Sequence, residues 1–462
     1  MIHHFKIKNG VVTYRNRFVQ SDAYKKNMAA NRIVVSEFGT LAFPDPCKNA
    51  FQRFFARFTQ SDEKTDNTSV NIYPVGDEFY AASETNFIRK IDLETLDSPA
   101  KVNLTDIAVL HTATAHPHIE SDGTVHNIGM SRSSSNTSYT VVKIPPSGGE
   151  GEEGSTTFSK ATVVATIPVS QKLYPKYMHS FGMSENYYVL TEQPLAFNVM
   201  KAATRKLFNL PSSSLLRWHR NTYTRFRVID RRTGAEIDSV RYVTDKLFAF
   251  HHVNVYEEDD HLVVDLCGYD EGNIFLNLEM ERKRVDMGTC TRPKARRYVL
   301  PLKMVENGKN LVSLPNSKAT AIREGSDIIL TYELLTDEET FLEFPVINYK
   351  LCSGRKYRYL YGLALGEDQV RNKIVKVDCE TREIKSWYDE KKFPSEMVFV
   401  QRPGATDEDD GVLLSSVLDW SNLENTRGYL LVLDARTLEE LGRACFDFHL
   451  GRDFHGMFKH DC

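Results

Sequence analysis

The 462 residues predict an all-β protein built as a β-propeller. Three observations carry that prediction. Short runs alternate apolar and polar residues between Gly, Asn, Asp and Pro punctuation, as in "YPVGDEFYAAS" (73–83), "HLVVDLCGYD" (261–270) and "DGVLLSSVLDW" (410–420); this is the period of a half-buried strand. Helical periodicity is scarce. One turn recurs, aliphatic-Asp-x-x-Thr, at Ile91-Asp92 to Thr95, Ile229-Asp230 to Thr233, Val377-Asp378 to Thr381 and Leu433-Asp434 to Thr437.

The recurring turn has a mechanism. Asp and Thr side chains bond nearby backbone amides, so each copy ends one strand and begins the next. The last two copies lie about one four-stranded unit apart, and the wider gaps fit units that carry insertions. Such units repeated around an axis make a propeller, and an array of β-sandwiches is the alternative. The segment "PPSGGEGEEGSTT" (145–157) is too polar and glycine-rich to pack and reads as a flexible exposed loop.

Bulk properties exclude several functions. A net charge of −4 with both signs interspersed gives no footprint for nucleic acid. The seven cysteines are odd in number, scattered and free of any CxxC pair. They point to reduced thiols in the cytoplasm and not to a disulfide framework or zinc ribbon. No apolar run approaches a membrane span and no basic-then-apolar leader opens the chain.

Among fourteen histidines, four stand out by context: His116 in "TAHPH", His179 in "KYMHSFG", His251 in "FAFHHVN" and His455 in "RDFHGMF". Their separations match about one, one and three propeller units. Equivalent positions on different blades face the central axis, so these four side chains are candidates to converge on one metal. Imidazole suits Fe, Zn, Cu and Ni, and metal-bound histidines usually donate their other N–H to a carboxylate. Glu84 in "ASETNF", Glu343 in "FLEFP" and Glu396 in "FPSEMVF" stand in strand-like apolar settings where a buried Glu is costly unless paired; backbone amides at a strand edge are the other way to satisfy them. His118-Ile119-Glu120 offers a competing H-x-E half of a two-histidine, one-carboxylate site. His118, beside Pro117, and His252, facing opposite to His251 on a strand, are read as decoys.

These residues and their surroundings resemble the carotenoid cleavage oxygenases, in particular the animal branch. "EFGTLAFPDPCKN" (37–49), "ASETNFIRKI" (82–91), "ATAHPHIESDGT" (113–124), "HSFG" (179–182), "FHHVNVYEEDD" (250–260), "FPVINY" (344–349), "FPSEMVFV" (393–400), "EDDGVLLS" (408–415) and "FHGMF" (454–458) are all close to family motifs, so the resemblance spans essentially the whole chain. It implies one domain over 1–462: a seven-bladed propeller with capping helices and loops on the metal face. It implies non-haem Fe(II) on His116, His179, His251 and His455. Glu84 would then brace His179, Glu343 would brace His251 and Glu396 would brace His455, while His116 would have no carboxylate. The implied reaction is O2-dependent cleavage of a carotenoid double bond to aldehydes. "ASETNFIRKI", "TEQPLAF" and "VIDRRTG" lean toward central 15,15' cleavage of β-carotene to retinal. Eccentric 9',10' cleavage and retinoid (retinyl ester) isomerohydrolysis are the alternatives. Relatives carry a further stretch before the segment that resembles "HHFKIKNGVVTYRNRF" (3–18), so closure of the ring is an open expectation.

A lipid-soluble substrate implies contact with a membrane. "KNAFQRFFARF" (48–58) places Phe51, Phe54, Phe55 and Phe58 on one helical stripe with basic residues between, a pattern suited to a membrane interface. "LAFNVMKAATRKLF" (195–208) repeats the design; packing on the propeller is the other use of such stripes. By resemblance, Phe38 is a substrate-tunnel aromatic and Cys47 a position that can carry an acyl chain. The expected setting is cytoplasmic with peripheral membrane association.

Overall fold

The computed structural model describes residues 1–43, 46–47, 52, 65–133, 136–146, 157–208, 210–272, 274, 291–303, 308–366, 372–422, 424, 426–448, 450–451 and 453–460, without the side chains of 206–208. Most of the 145–157 loop, Phe51, Phe54, Phe55 and Phe58 lie outside them.

Alternating runs form sheets of antiparallel strands, with one parallel pair where Arg241–Thr244 meets Asp327–Leu330. The first blade is Asn71–Val75, Glu78–Ala82, Phe87–Ile91 and Lys101–Asn103. The second comprises Leu110–Ala113, joined by His118–Ile119, then Val125–Arg132, Thr137–Ile144 and Thr162–Pro168. The third contains Gly182–Met183, Tyr187–Glu192, Thr224–Asp230 and Arg241–Thr244, and is extended by Asp327–Leu330 and Ala321–Glu324. The fourth is Phe248–Glu258, His261–Tyr269, Lys294–Pro301 and Glu333–Leu334. The fifth is Leu342–Val346, Tyr359–Ala364, Lys373–Asp378 and Ile384–Trp387, and the sixth Lys392–Gln401, Gly411–Asp419, Arg427–Asp434 and Glu440–Phe446.

The expected seven blades are therefore corrected. Among the described residues, six sheets have four or more strands. A lone hairpin, Ile2–Lys8 with Val11–Arg17, stands between the last sheet and the first. Tyr14 rests on Phe446 and Phe448, while Arg17 pairs with Asp97 of the first blade at 2.8 Å.

The repeated turn is the clearest link from sequence to fold. Each copy joins the third strand of its blade to the fourth, in the first, third, fifth and sixth blades. The Asp Oδ1 accepts from the Thr backbone N–H in all four, at 2.8 Å for Asp92, 2.7 Å for Asp230, 3.1 Å for Asp378 and 2.8 Å for Asp434. The residue after the Thr is left-handed each time: Leu96, Gly234, Arg382 and Leu438. Only one of those is the glycine that such a φ favours, so the side-chain caps outweigh local backbone preference in the others.

The core lies between blades. Val189 and Phe226 of the third blade pack on Val255 and Leu262 of the fourth. Val263 and Cys267 of the fourth meet Leu360 and Val377 of the fifth. Second strands are thus covered on both faces, and His261–Tyr269 is buried along its whole length. Its Asp265 is tolerated there because Arg297 binds it through Nε and Nη2 at 2.9 and 2.8 Å and Tyr357 donates to it at 2.7 Å. First strands run side by side around the axis, Gly182–Met183 beside Phe248–Glu258, then Leu342–Val346, then Lys392–Gln401.

Helices are few and short. Val199–Phe208 follows directly on Leu195–Phe197. Along that apolar stripe Ala196 is buried and Val199 half-buried, whereas Met200, 62% exposed, and Ala203 face outward. No helix among the described residues is long and apolar enough to cross a membrane. Cys267, Cys352 and Cys379 are buried thiols, and Cys47 is exposed.

Candidate metal centre

Four imidazoles meet at the axis. His116 follows Leu110–Ala113 of the second blade, His179 precedes Gly182–Met183 of the third, His251 lies on Phe248–Glu258 of the fourth, and His455 follows the sixth. One ring nitrogen from each lies within 4.8 Å of all the others. His116 Nε2 and His179 Nε2 are 3.0 Å apart, and the ring centroids of His116 and His455 are separated by 4.4 Å.

Three of the rings face carboxylates through Nδ1. The distances are 2.5 Å from His179 to Glu84, 2.6 Å from His251 to Glu343 and 2.9 Å from His455 to Glu396. Each bond fixes the proton on Nδ1 and leaves Nε2 with its lone pair toward the axis. His251 Nε2 is buried with no hydrogen-bond partner among the described residues. The three braced rings thus turn Nε2 lone pairs toward the axis, where His116 Nε2 also lies, and a cation between them would offset their mutual repulsion. The donor set therefore fits a metal that accepts imidazole.

Irregular backbone aims these groups. The pairing of Phe248–Glu258 with its neighbour shifts register between Ala249 and His252 and again before Asn254, bracketing His251. Ser180 fills that bulge: its hydroxyl donates to the Phe250 carbonyl at 2.7 Å and accepts from His252 N–H at 3.0 Å. A second shift follows Glu343, and a third between Pro394 and Met397 brackets Glu396. Phe344 has φ +54°, an outlier for a bulky residue. Its N–H donates to Glu343 Oε2 at 2.7 Å, so the strained residue holds the carboxylate that braces His251 of the preceding blade.

Electrostatics follow from burial. Burial and the three neighbouring rings drive His116 well below the ordinary imidazole range. Burial also lowers His251, outweighing Glu343. Burial pulls His455 the same way, but the Glu396 carboxylate overcomes it and the net direction is upward. Burial would raise Glu343, yet the His251 ring and the Phe344 amide hold it below its usual value.

The competing local site does not assemble. Glu120 turns to Arg231 and to His126, 3.2 Å from its Nε2. His118 bonds the Tyr349 hydroxyl at 2.8 Å and the Phe181 carbonyl at 2.9 Å. His252 bonds Ser180 and Thr191, both at 2.8 Å. Burial, with His126 and Arg231 nearby and against the Phe181 carbonyl, pushes His118 down to about 4; burial, with His118 and His251 nearby, pushes His252 down to about 3.

Two tyrosines join the site that sequence reasoning missed. Tyr177 donates to Glu84 Oε1 at 2.5 Å and lies 2.9 Å from His179 Nδ1; Tyr269 donates to Glu343 Oε1 at 3.2 Å. Tyr177 could have been found, since it stands two residues before His179 and so on the same face of an extended segment. Tyr269 left no sequence signal. Both rings belong to an aromatic cluster with Phe248 and Phe250, and Phe38 packs against it. A cavity of about 1380 Å³ runs from His116, His251 and His455 past Ser180 and Val253 to Arg355 and Gln401.

The sequence matches the family described as Retinal pigment epithelial membrane protein over residues 1–460. It is 40% identical to a Macaca fascicularis carotenoid-cleaving dioxygenase, mitochondrial, covering 99% of this chain and 84% of that one. It is likewise 40% identical to a Gallus gallus beta,beta-carotene 15,15'-dioxygenase, covering 99% and 88%. Among solved structures, a Synechocystis apocarotenoid oxygenase superposes with TM-score 0.74 at 20% identity, covering 98% of this chain and 85% of that one. Its cobalt-substituted form superposes with TM-score 0.72.

Proposed function

Because this chain belongs to the carotenoid cleavage oxygenase family, that of the retinal pigment epithelial membrane protein, we propose that its four histidines hold Fe(II) and that it cuts β-carotene at the central 15,15' double bond to give retinal. It is a carotenoid-cleaving dioxygenase, an oxidoreductase that incorporates molecular oxygen. The observation that carries the reading is the convergence of four imidazole nitrogens within 4.8 Å, three of them on carboxylate-braced rings.

Bound Fe(II) would supply the activation of O2 that puts one oxygen atom on each carbon of the broken double bond. The side chains do the rest. Glu84, Glu343 and Glu396 hold the Nδ1 protons and so fix ring tautomer and tilt. Phe38, Tyr177, Phe248 and Phe250 form an apolar wall that excludes water and registers a chemically repetitive polyene against the metal.

The Gallus gallus relative supports central cleavage. The equally similar Macaca fascicularis relative, named only as carotenoid-cleaving, keeps 9',10' cleavage as the second reading. We further propose that the hairpin Ile2–Lys8/Val11–Arg17 stands in the place of a seventh blade, supported by its contacts with Phe446 and Asp97. Peripheral attachment to a membrane from a reducing, cytoplasmic side is supported by exposed Met200, exposed Cys47 and the basic aromatic pattern of 48–58.

Aerobic incubation of the Fe(II)-loaded protein with β-carotene in detergent, with products resolved by chromatography, tests the reading. Retinal alone is the expected product. Long apocarotenals with an ionone would move the cut to the eccentric bond, and turnover of retinyl ester without O2 would replace cleavage by isomerohydrolysis. His179→Ala should lose both iron and product; retention of both would overturn the four-histidine assignment.

A further inference from the structure

His455 stands on a stretch of chain that belongs to no sheet. None of the described residues between 450 and 460 lies in a strand or helix, so ladder bonds do not set where its ring goes. Leu450 anchors the start of the stretch: it is fully buried, and a Cβ at Gly428 of the sixth blade would lie 2.2 Å from Leu450 Cβ. Further on, Asp453 and His455 both bond the first strand of that blade, while Phe454 between them is exposed. Alternation of this kind marks an extended segment laid along the strand.

The bulge that brackets Glu396 supplies the grip. With register lost between Pro394 and Met397, two consecutive residues of Lys392–Gln401 reach the segment. Ser395 Oγ accepts from Asp453 N–H at 3.0 Å, and Glu396 accepts from His455 Nδ1 at 2.9 Å. The Asp453 carboxylate then ties the segment to two more elements. Its Oδ2 accepts from the hydroxyl of Ser416, a buried residue of Gly411–Asp419, at 2.5 Å; this is the short bond of a hydroxyl to an ionised acceptor. Its Oδ1 lies 3.5 Å from Nε2 of His3 in the hairpin, and the Tyr14 hydroxyl holds the other ring nitrogen of His3 at 2.7 Å. A carboxylate accepts over a broad range of directions, so Glu396 alone fixes the Nδ1 proton without fixing how far the ring reaches. Anchors two residues upstream do that.

We propose that Asp453 is a positioning residue for the metal centre: by clipping the segment to Ser416 and His3, it sets the reach of His455 Nε2 toward the other three imidazoles. The inference rests on the four-histidine metal reading of the same site. A metal site needs its ligands held to within about 0.5 Å of the productive geometry by side chains behind them. Without the Asp453 carboxylate the Glu396 bond can still form, but the chain that carries the ring is free to shift along the strand. Three imidazoles then hold the ion and the fourth meets it only part of the time.

Anaerobic titration of the metal-free full chain with Fe(II) and with Co(II) tests this, and the visible Co(II) bands give a second readout. Asp453→Ala should weaken both metals about tenfold and move the Co(II) bands toward those of His455→Ala. Asp453→Asn, whose amide oxygen can still accept from Ser416, should stay within about twofold of the unaltered protein. Ser416→Ala, which leaves the segment's own sequence intact, should weaken binding in the same direction as Asp453→Ala. In a His455→Ala background, adding Asp453→Ala should change affinity by no more than about twofold, because the ring it aims is gone. An equal loss in that background would mean general destabilisation and overturns the proposal. So does unchanged binding by Asp453→Ala or Ser416→Ala, or a loss in Asp453→Asn as large as in Asp453→Ala. An unaltered protein that binds neither metal refutes the four-histidine reading and this inference with it, whereas one that binds both beside a silent Asp453→Ala refutes only the role of Asp453.

Discussion

Replacing Glu343 separates two jobs that one carboxylate performs. Glu343 is 2% exposed and receives three donors: His251 Nδ1 at 2.6 Å, Phe344 N–H at 2.7 Å and the Tyr269 hydroxyl at 3.2 Å. Alanine leaves all three buried and unpaired, at about 1–3 kcal/mol each, so Glu343→Ala should cost about 3 kcal/mol or more. Glutamine can keep its amide oxygen where Oε2 stands, serving His251 and Phe344, while the Tyr269 hydroxyl turns to accept from the amide N–H. Glu343→Gln should therefore cost within about 1 kcal/mol. Both variants lose the negative charge that makes His251 a stronger ligand, so both should bind iron roughly 10–100-fold more weakly. Chemical unfolding of the metal-free proteins and anaerobic Fe(II) titration measure the two effects independently. Glu84→Ala is the control, because the Glu84 side chain is 28% exposed and water can replace it; its stability cost should be the smaller. A Glu343→Ala protein that unfolds with the parent and keeps its iron affinity would refute the bracing role, and so would a larger stability loss at Glu84.

Two further outcomes are expected. Burial raises Glu37 to about 7, with nearby Asp66 adding to the shift and the Thr65 hydroxyl opposing it. The folded state therefore binds the proton more tightly than the unfolded chain, and this contribution to stability is full below pH about 4.5 and lost as pH rises through about 7; Glu37→Gln, which can keep the 2.7 Å bond from Thr65, should flatten the loss between pH 5 and 8 in thermal unfolding. Asp434 Oδ1 accepts from the backbone N–H groups of Arg436 and Thr437, both at 2.8 Å, so Asp434→Ala should destabilise by about 1–2 kcal/mol in denaturant titration without changing iron content.

Much of the site was legible because a propeller turns sequence spacing into angular position. His116, His179, His251 and His455 recur at unit-like intervals, and the same intervals govern the Asp-x-x-Thr turns that join third and fourth strands. Two of the carboxylates were legible for another reason: Glu343 and Glu396 are held in apolar surroundings where an unpaired charge is costly, whereas Glu84 is 28% exposed. What escaped was geometry with no local signature. The left-handed Phe344 and the bulges around His251 and Glu396 depend on pairing with distant strands. Tyr269 reaches Glu343 only because the fourth and fifth blades pack together. The expectation of seven blades also met its limit, since the hairpin of residues 2–17 contributes two strands where its neighbours have four or more.

The order of the ligands along the chain has a consequence for assembly. His116, His179 and His251 come from the second, third and fourth blades, but His455 follows the sixth. A ribosome has therefore made every sheet of the ring before the fourth imidazole exists. Under the proposed four-histidine site, capture of a metal by the complete donor set would follow synthesis of all six sheets. A chain stalled anywhere earlier presents at most three of the four imidazoles.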